Sequence, residues 1–148
     1  GCICQAQLTK ISPTGKWIAT TYRTETPSAN RQYVEYTYAA AFYNTETGTT
    51  TIVEDYGETT GVHVTDDGIG FIGIGTLGVS AGKVYDLNTH TDLGDTQDWV
   101  YDTYGIVIPG GYINHISADG RYVLGTSAQS SAGGTSFINW YIAPPRAK

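Results

Sequence analysis

Ile116-Ser117-Ala118-Asp119-Gly120-Arg121-Tyr122-Val123-Leu124-Gly125 reads as the end of one strand, a tight turn on glycine and the start of another apolar strand. The same passage stands earlier as Val64-Thr65-Asp66-Asp67-Gly68-Ile69-Gly70-Phe71-Ile72-Gly73, and first as Ile11-Ser12-Pro13-Thr14-Gly15-Lys16-Trp17-Ile18-Ala19. The turn glycines Gly15, Gly68 and Gly120 lie 53 and 52 residues apart. Self-similarity at a fixed period marks a repeat architecture, in which units that cannot bury their apolar faces alone stack against one another.

Each unit reads as an ordered set of strands. The turns fall at Pro13-Thr14-Gly15, Asp66-Asp67-Gly68 and Ala118-Asp119-Gly120. Gly supplies the positive φ, and Asp67 and Asp119 cap their turns. A second strand is expected over Trp17–Thr21, Gly70–Ile74 and Tyr122–Thr126, then a polar loop over Arg23–Arg31, Thr76–Gly82 and Ser127–Thr135. The third strand falls at Tyr33–Tyr43, Lys83–Leu87 and Ser136–Ile142. An aromatic, an Asn or Asp and a Thr-rich turn follow Tyr43 and Tyr85, the pattern of a hairpin into a fourth strand. That strand is expected at Thr49–Glu54 in the first unit and within Trp99–Ile108 in the second. The third unit reaches Pro144-Pro145 where its fourth strand should begin.

Composition agrees with an all-β chain. Thr and Tyr favour strands and the 19 glycines favour turns, while Met is absent and no window of about eleven residues carries a helical stripe. The predicted fold is a partial β-propeller of about three four-stranded antiparallel blades, the last incomplete, over approximately 8–57, 58–108 and 109–148. Ala19, Gly70, Gly73 and Gly125, small residues beside the turns, suit strands crowded near an axis.

The turn-and-strand passages resemble WD-type propeller repeats. They are most similar to the bacterial variety with a Ser-Pro-Asp-Gly turn before a short apolar strand, as in periplasmic Tol-system propellers. Ile116–Gly125 departs only in lacking the Pro; Thr14 stands where Asp is usual, and Asp66 where Pro is. The Trp-Asp pair of eukaryotic repeats is absent, with Tyr85-Asp86 in a similar place. The resemblance spans residues 8–145, with about ten diagnostic residues per blade. It implies a binding scaffold more often than an enzyme, closure with more blades than three, and no catalytic residue to carry over. Propellers use about four to eight blades. Three leave open edges, so a segment of a longer propeller is expected, with a six-bladed ring of two copies or an open capped stack as alternatives.

Net charge is −6, and the eight Lys and Arg are scattered, so no basic patch could neutralise a run of phosphates; nucleic acid is not an expected partner. No stretch approaches the ~20 apolar residues of a membrane span. Both cysteines, Cys2 and Cys4, stand at the start, and a mutual bridge between extended i and i+2 positions would be strained. Residues 1–7 read as the remnant of a bacterial secretory signal or an N-terminal tail, with a lipidated Cys2, Gly1 left by cloning, or ordinary structural residues as alternatives. An extracytoplasmic location, periplasmic, secreted or surface-attached, follows.

Candidate ligand contacts are Trp99, Tyr101 and Tyr104, in an aromatic and acidic segment (Asp95–Gly105) suited to sugar rings or protein surfaces, and the repeat-equivalent His63 and His115. The alternatives are aromatics packed between blades and histidines bonded to neighbouring backbone. Lys10 takes the histidine position in the first unit, which breaks a metal-binding set. Gly15, Asp67, Gly68, Asp119 and Gly120 are read as turn residues. No catalytic set, metal site or cofactor motif is present; Gly68, Gly70, Gly73 and Gly75 precede no helix that could receive a phosphate. The expected function is a non-catalytic binding or scaffold unit for a glycan or a protein, able to self-associate through open blade edges. The alternative is part of a propeller glycoside hydrolase or lyase.

Overall fold

The computed structural model describes residues 3–27, 34–54, 59–76, 79–131 and 133–145. Gly1, Cys2, Tyr33 and residues 146–148 lie outside them. Three antiparallel sheets follow one another along the chain. Blade 1 is β1 (Ile3–Ile11), β2 (Trp17–Pro27), β3 (Val34–Asn44) and β4 (Thr50–Glu54), in that spatial order. Blade 2 is β5 (Thr59–Val64), β6 (Ile69–Thr76), β7 (Val79–Asp86) and β8 (Thr91–Asp95), followed by α1 (Thr96–Tyr104). Blade 3 is β9 (Gly111–Ile116), β10 (Val123–Ser131) and β11 (Gly134–Ile142). Every pairing joins neighbours in sequence, so each sheet is a simple meander, and the third has three strands among the described residues.

Alternation along the strands explains how the sheets stack. Ala19 and Phe42, cross-strand partners, face blade 2, where they meet Val62, Val64 and Ile72 in one buried cluster. Phe71 and Val84 point from the opposite side of blade 2 into a second cluster with Ile113, Ile116 and Val123 of blade 3. Each full burial of such a side chain contributes roughly 1.5–3 kcal/mol. A small residue sets the spacing between blades 1 and 2, since a Cβ on Gly70 would stand 2.9 Å from the Phe42 ring; within blade 3, one on Gly125 would overlap the indole of its cross-strand partner Trp140.

The sequence expectations need correcting in four places. The segment 96–104 is a helix, and the fourth strand of blade 2 precedes it at Thr91–Asp95. The helical stripe is Thr96, Val100 and Tyr104 with Trp99 and Thr103; two members are threonine and the helix is nine residues long, so no apolar periodicity stands out. Gly105 ends it in the left-handed region (φ 70°), its N–H bonded to the Tyr101 carbonyl. The three polar loops are largely strand: β2 runs to Pro27, β7 starts at Val79, and Ser130 still pairs with Thr135. Thr and Ser at those positions satisfy a pleated, half-solvated strand as well as a loop. Finally, β1 begins at Ile3, with Cys4 opposite Thr24, so residues 3–7 pair within the first strand of blade 1.

Gly111 tests the close fit. A Cβ there would lie 2.3 Å from the Thr126 carbonyl oxygen, which the β10 ladder prevents from moving aside. Gly111→Ala is expected to cost about 1–3 kcal/mol in urea unfolding, whereas Gln97→Ala on the exposed side of α1 stays within about 0.5 kcal/mol.

Candidate functional site

The three repeated turns share one hydrogen-bond scheme. The glycines have φ of 80°, 84° and 72°, and each N–H returns to the carbonyl of Ser12, Thr65 or Ser117. The hydroxyls of those residues accept the N–H of Trp17, Ile69 and Tyr122, one or two residues past the turn glycines, at 3.0, 3.1 and 3.0 Å. Sequence reasoning assigned the capping to Asp alone. A hydroxyl three residues before each glycine was the available signal. Asp67 and Asp119 accept hydrogen bonds from the Thr65 and Ser117 hydroxyls, and Asp119 also caps its turn by accepting the N–H of Arg121 at 3.1 Å.

Further bonds tie these turns to the rest. Asp66 accepts both the N–H and the hydroxyl of Thr14 at 3.0 and 2.9 Å, joining the blade 2 turn to the blade 1 turn. Thr45 donates to the carbonyls of Gly15 and Lys16, and Asn88 donates to that of Asp67. The second turn is therefore strapped to the first in blades 1 and 2.

Between blades 2 and 3, at this turn end, lies a pocket of about 490 Å³. Phe71, Trp99 and Tyr104 form its aromatic side, Ile69 and Ile116 add apolar surface, and Asp66, Asp67 and Asp119 contribute carboxylates. Trp99 stands edge-on to Phe71 at 5.0 Å and to Tyr104 at 5.8 Å between ring centroids. The Tyr104 hydroxyl donates to the Gly120 carbonyl at 2.7 Å and so holds the end of α1 to the blade 3 turn. Burial pushes the Tyr104 phenol above its usual range, which keeps it a donor.

Two of the carboxylates are held in the charged form. Partial burial pushes Asp66 up, but Thr14, Ser12 and the Lys16 charge together outweigh it and leave its pKa below the usual value. The Ser117 hydroxyl first, then the Arg121 N–H, lower that of Asp119.

The sequence candidates divide. Trp99 and Tyr104 share the pocket with Asp67, Asp119 and Gly120. Tyr101 projects from the opposite side of α1 and is 57% exposed. His63 and His115 sit elsewhere, their rings 4.8 Å apart on the inner strands. His63 is 2% exposed, and its Nε2 accepts the N–H of Ile116 at 3.2 Å, so blade 2 reaches the backbone of blade 3. Among the described residues, no three His, Cys, Asp or Glu side chains come together as a metal site. Asp66 and Phe71 are pocket residues that sequence reasoning did not nominate; Asp66 had registered only as a departure from Pro.

No family model and no curated protein matches this chain. Solved structures do. The acylaminoacyl peptidase of Pyrococcus horikoshii superposes on 88% of the chain with a TM-score of 0.56 and 13% identity. The β-propeller domain of the Trilobed protease from Pyrococcus furiosus, described as having an open velcro topology, matches over 93% of the chain with a TM-score of 0.54 and 15% identity. The fold is that of propeller blades. The chain spans 18% of the first of those chains and 38% of the second.

The buried histidine makes stability depend on pH. Burial first, then the nearby His115 and Lys10, lower His63 from 6.5 to about 4. Between those values the unfolded chain binds a proton that the folded chain does not. Stability is therefore full above about pH 6.5 and falls as pH drops toward 4, by up to roughly 3 kcal/mol. Chemical denaturation at about pH 7 and pH 4.5 should show this fall in the native protein, and His63→Gln should flatten it.

Proposed function

We propose that the chain is a non-catalytic binding module of the bacterial Tol-like propeller kind, secreted or held at the cell surface, and that the pocket between blades 2 and 3 receives a glycan or protein ligand. One observation carries the reading: Trp99 and Tyr104 come from a helix that interrupts the strand repeat, and both face a pocket whose other wall is the repeated turn. Pockets of about 300–1,000 Å³ with apolar walls and a few directed polar groups are the usual form of a ligand site. The extracytoplasmic placement rests on the resemblance of the turns to periplasmic propellers.

Asp67 and Asp119 in one pocket invite the enzymatic alternative, part of a glycoside hydrolase or lyase. A general acid at neutral pH needs a raised pKa. The Ser117 hydroxyl and Arg121 N–H move Asp119 the other way, and Asp67 is engaged by the turn hydroxyl of Thr65. Turn closure accounts for both carboxylates without chemistry.

Self-association is the second part of the proposal, and sheet faces support it better than edges. Leu124 occupies the position in blade 3 that Phe71 occupies in blade 2, each opposite the repeat histidine. Phe71 is 1% exposed and Leu124 54%. Tyr141, opposite Leu124, is bare, as are Ile11 and Ile52 on the outer face of blade 1. Such surfaces favour another sheet.

The expected behaviour is capture of a ligand from glycan and peptide panels with the ligand recovered unchanged. Trp99→Ala should weaken capture at least about tenfold while the circular dichroism spectrum stays native. Hydrolysis or elimination of a captured ligand by the purified chain would replace this reading with the enzymatic one. Sedimentation should show concentration-dependent mass, reduced by Leu124→Lys; a strict monomer at high concentration would rule out the self-associating part.

A further inference from the structure

Resting on the reading of the blade 2–blade 3 pocket as a ligand site, we infer that its ligand is a cationic side chain, the lysine or arginine of a protein partner. Three carboxylates, those of Asp66, Asp67 and Asp119, stand near the half-buried rings of Trp99 and Tyr104, with the buried Phe71 behind them, and among the described residues no Lys, Arg or His lines the space. The cations that act on these acids come from outside the lining: Lys16 on Asp66 and Arg121 on Asp119. Lys16 is itself within 3.9 Å of Glu46.

An aromatic ring attracts a cation placed over its face, the more so as the site loses water. Carboxylates beside the rings add charge pairing, which salt screens. A neutral sugar uses the rings but gains little from three charges. A phosphate, a sulfate or an acidic glycan is repelled by them.

The carboxylates remain competent although they hold the turns. Asp66 and Asp119 use Oδ1 in the bonds from Thr14, and from Ser117 and Arg121. Oδ2 is not engaged in those bonds. The turn bonds orient each carboxylate before any ligand arrives, which reduces the ordering cost of binding. Tyr104 is likewise fixed through Gly120, so the ring wall is preformed.

The test follows the indole N–H signals in proton–nitrogen spectra, with Trp99 assigned by Trp99→Phe. The probes are Nα-acetyl-arginine methylamide, Nα-acetyl-lysine methylamide, the uncharged isostere Nα-acetyl-citrulline methylamide, and cellobiose. The cationic probes should shift the Trp99 signal. Citrulline should bind about tenfold more weakly than arginine, and raising salt to ~0.3 M should weaken only the cations. Asp67→Asn and Asp119→Asn should each reduce arginine affinity several-fold; because both hold turns, the salt dependence of the unaltered protein provides the same information without substitution. Equal binding of citrulline and arginine, or binding of cellobiose alone, would overturn the cationic assignment and leave the pocket a ligand site of another kind. No shift of Trp99 with any probe, together with unimpaired panel capture by Trp99→Ala, would overturn both readings.

Discussion

The molecule depends on the contact between the flat face of one sheet and the inner strand of the next. No blade is thick enough to enclose a core, since a single sheet has two faces and nothing between them. The two buried clusters therefore belong to pairs of blades: Phe42 of blade 1 rests against Val62, Val64 and Ile72, and Phe71 of blade 2 against Ile113, Ile116 and Val123. Glycine at 70 and 82 lets the sheets approach this closely, because any side chain there would meet the Phe42 ring or the Gly111 carbonyl of the neighbouring blade. In such a stack, stability is approximately a sum of neighbour contacts.

The pocket is a by-product of that stacking made specific by one insertion. The turns of blades 2 and 3 diverge at one end of the stack, and a helix of nine residues fills part of the gap with Trp99 and Tyr104. The same hydrogen bonds that close the turns also set the pocket's charge. Asp119 is oriented by Ser117, and Asp66 by Thr14 of the neighbouring blade. Turn closure and the lining of the pocket fall on the same carboxylates, so the polar wall needs no supports of its own.

Much of the fold was legible because it is written three times. Positions of the turn glycines, the apolar alternation after them and the Asn44 and Asp86 turns all repeat. What does not repeat was read poorly. The helix hid because its buried stripe is part threonine, and a Trp- and Tyr-rich segment with acids also fits an outer strand. The long hairpin arms hid because serine and threonine satisfy loops and exposed strands alike. For the site, Trp99 and Tyr104 were visible as aromatics out of pattern. Tyr101 stands with them as the third aromatic of the segment, but on a helix residues 99 and 101 do not share a face. His63 and His115 were visible as a repeat pair, but only coordinates reveal that one imidazole binds the next blade's backbone.

That bond gives the stack a polarity. The acceptor, the imidazole of His63, belongs to the earlier blade, and the donor, the N–H of Ile116, to the later one. Blade 1 carries Lys10 in the acceptor position, so the link cannot be made twice in the same way. Blade 3 presents His115 on its bare face, with the acceptor position already filled. A sheet arriving on that side would find a latch waiting; one arriving at the other side would have to bring its own.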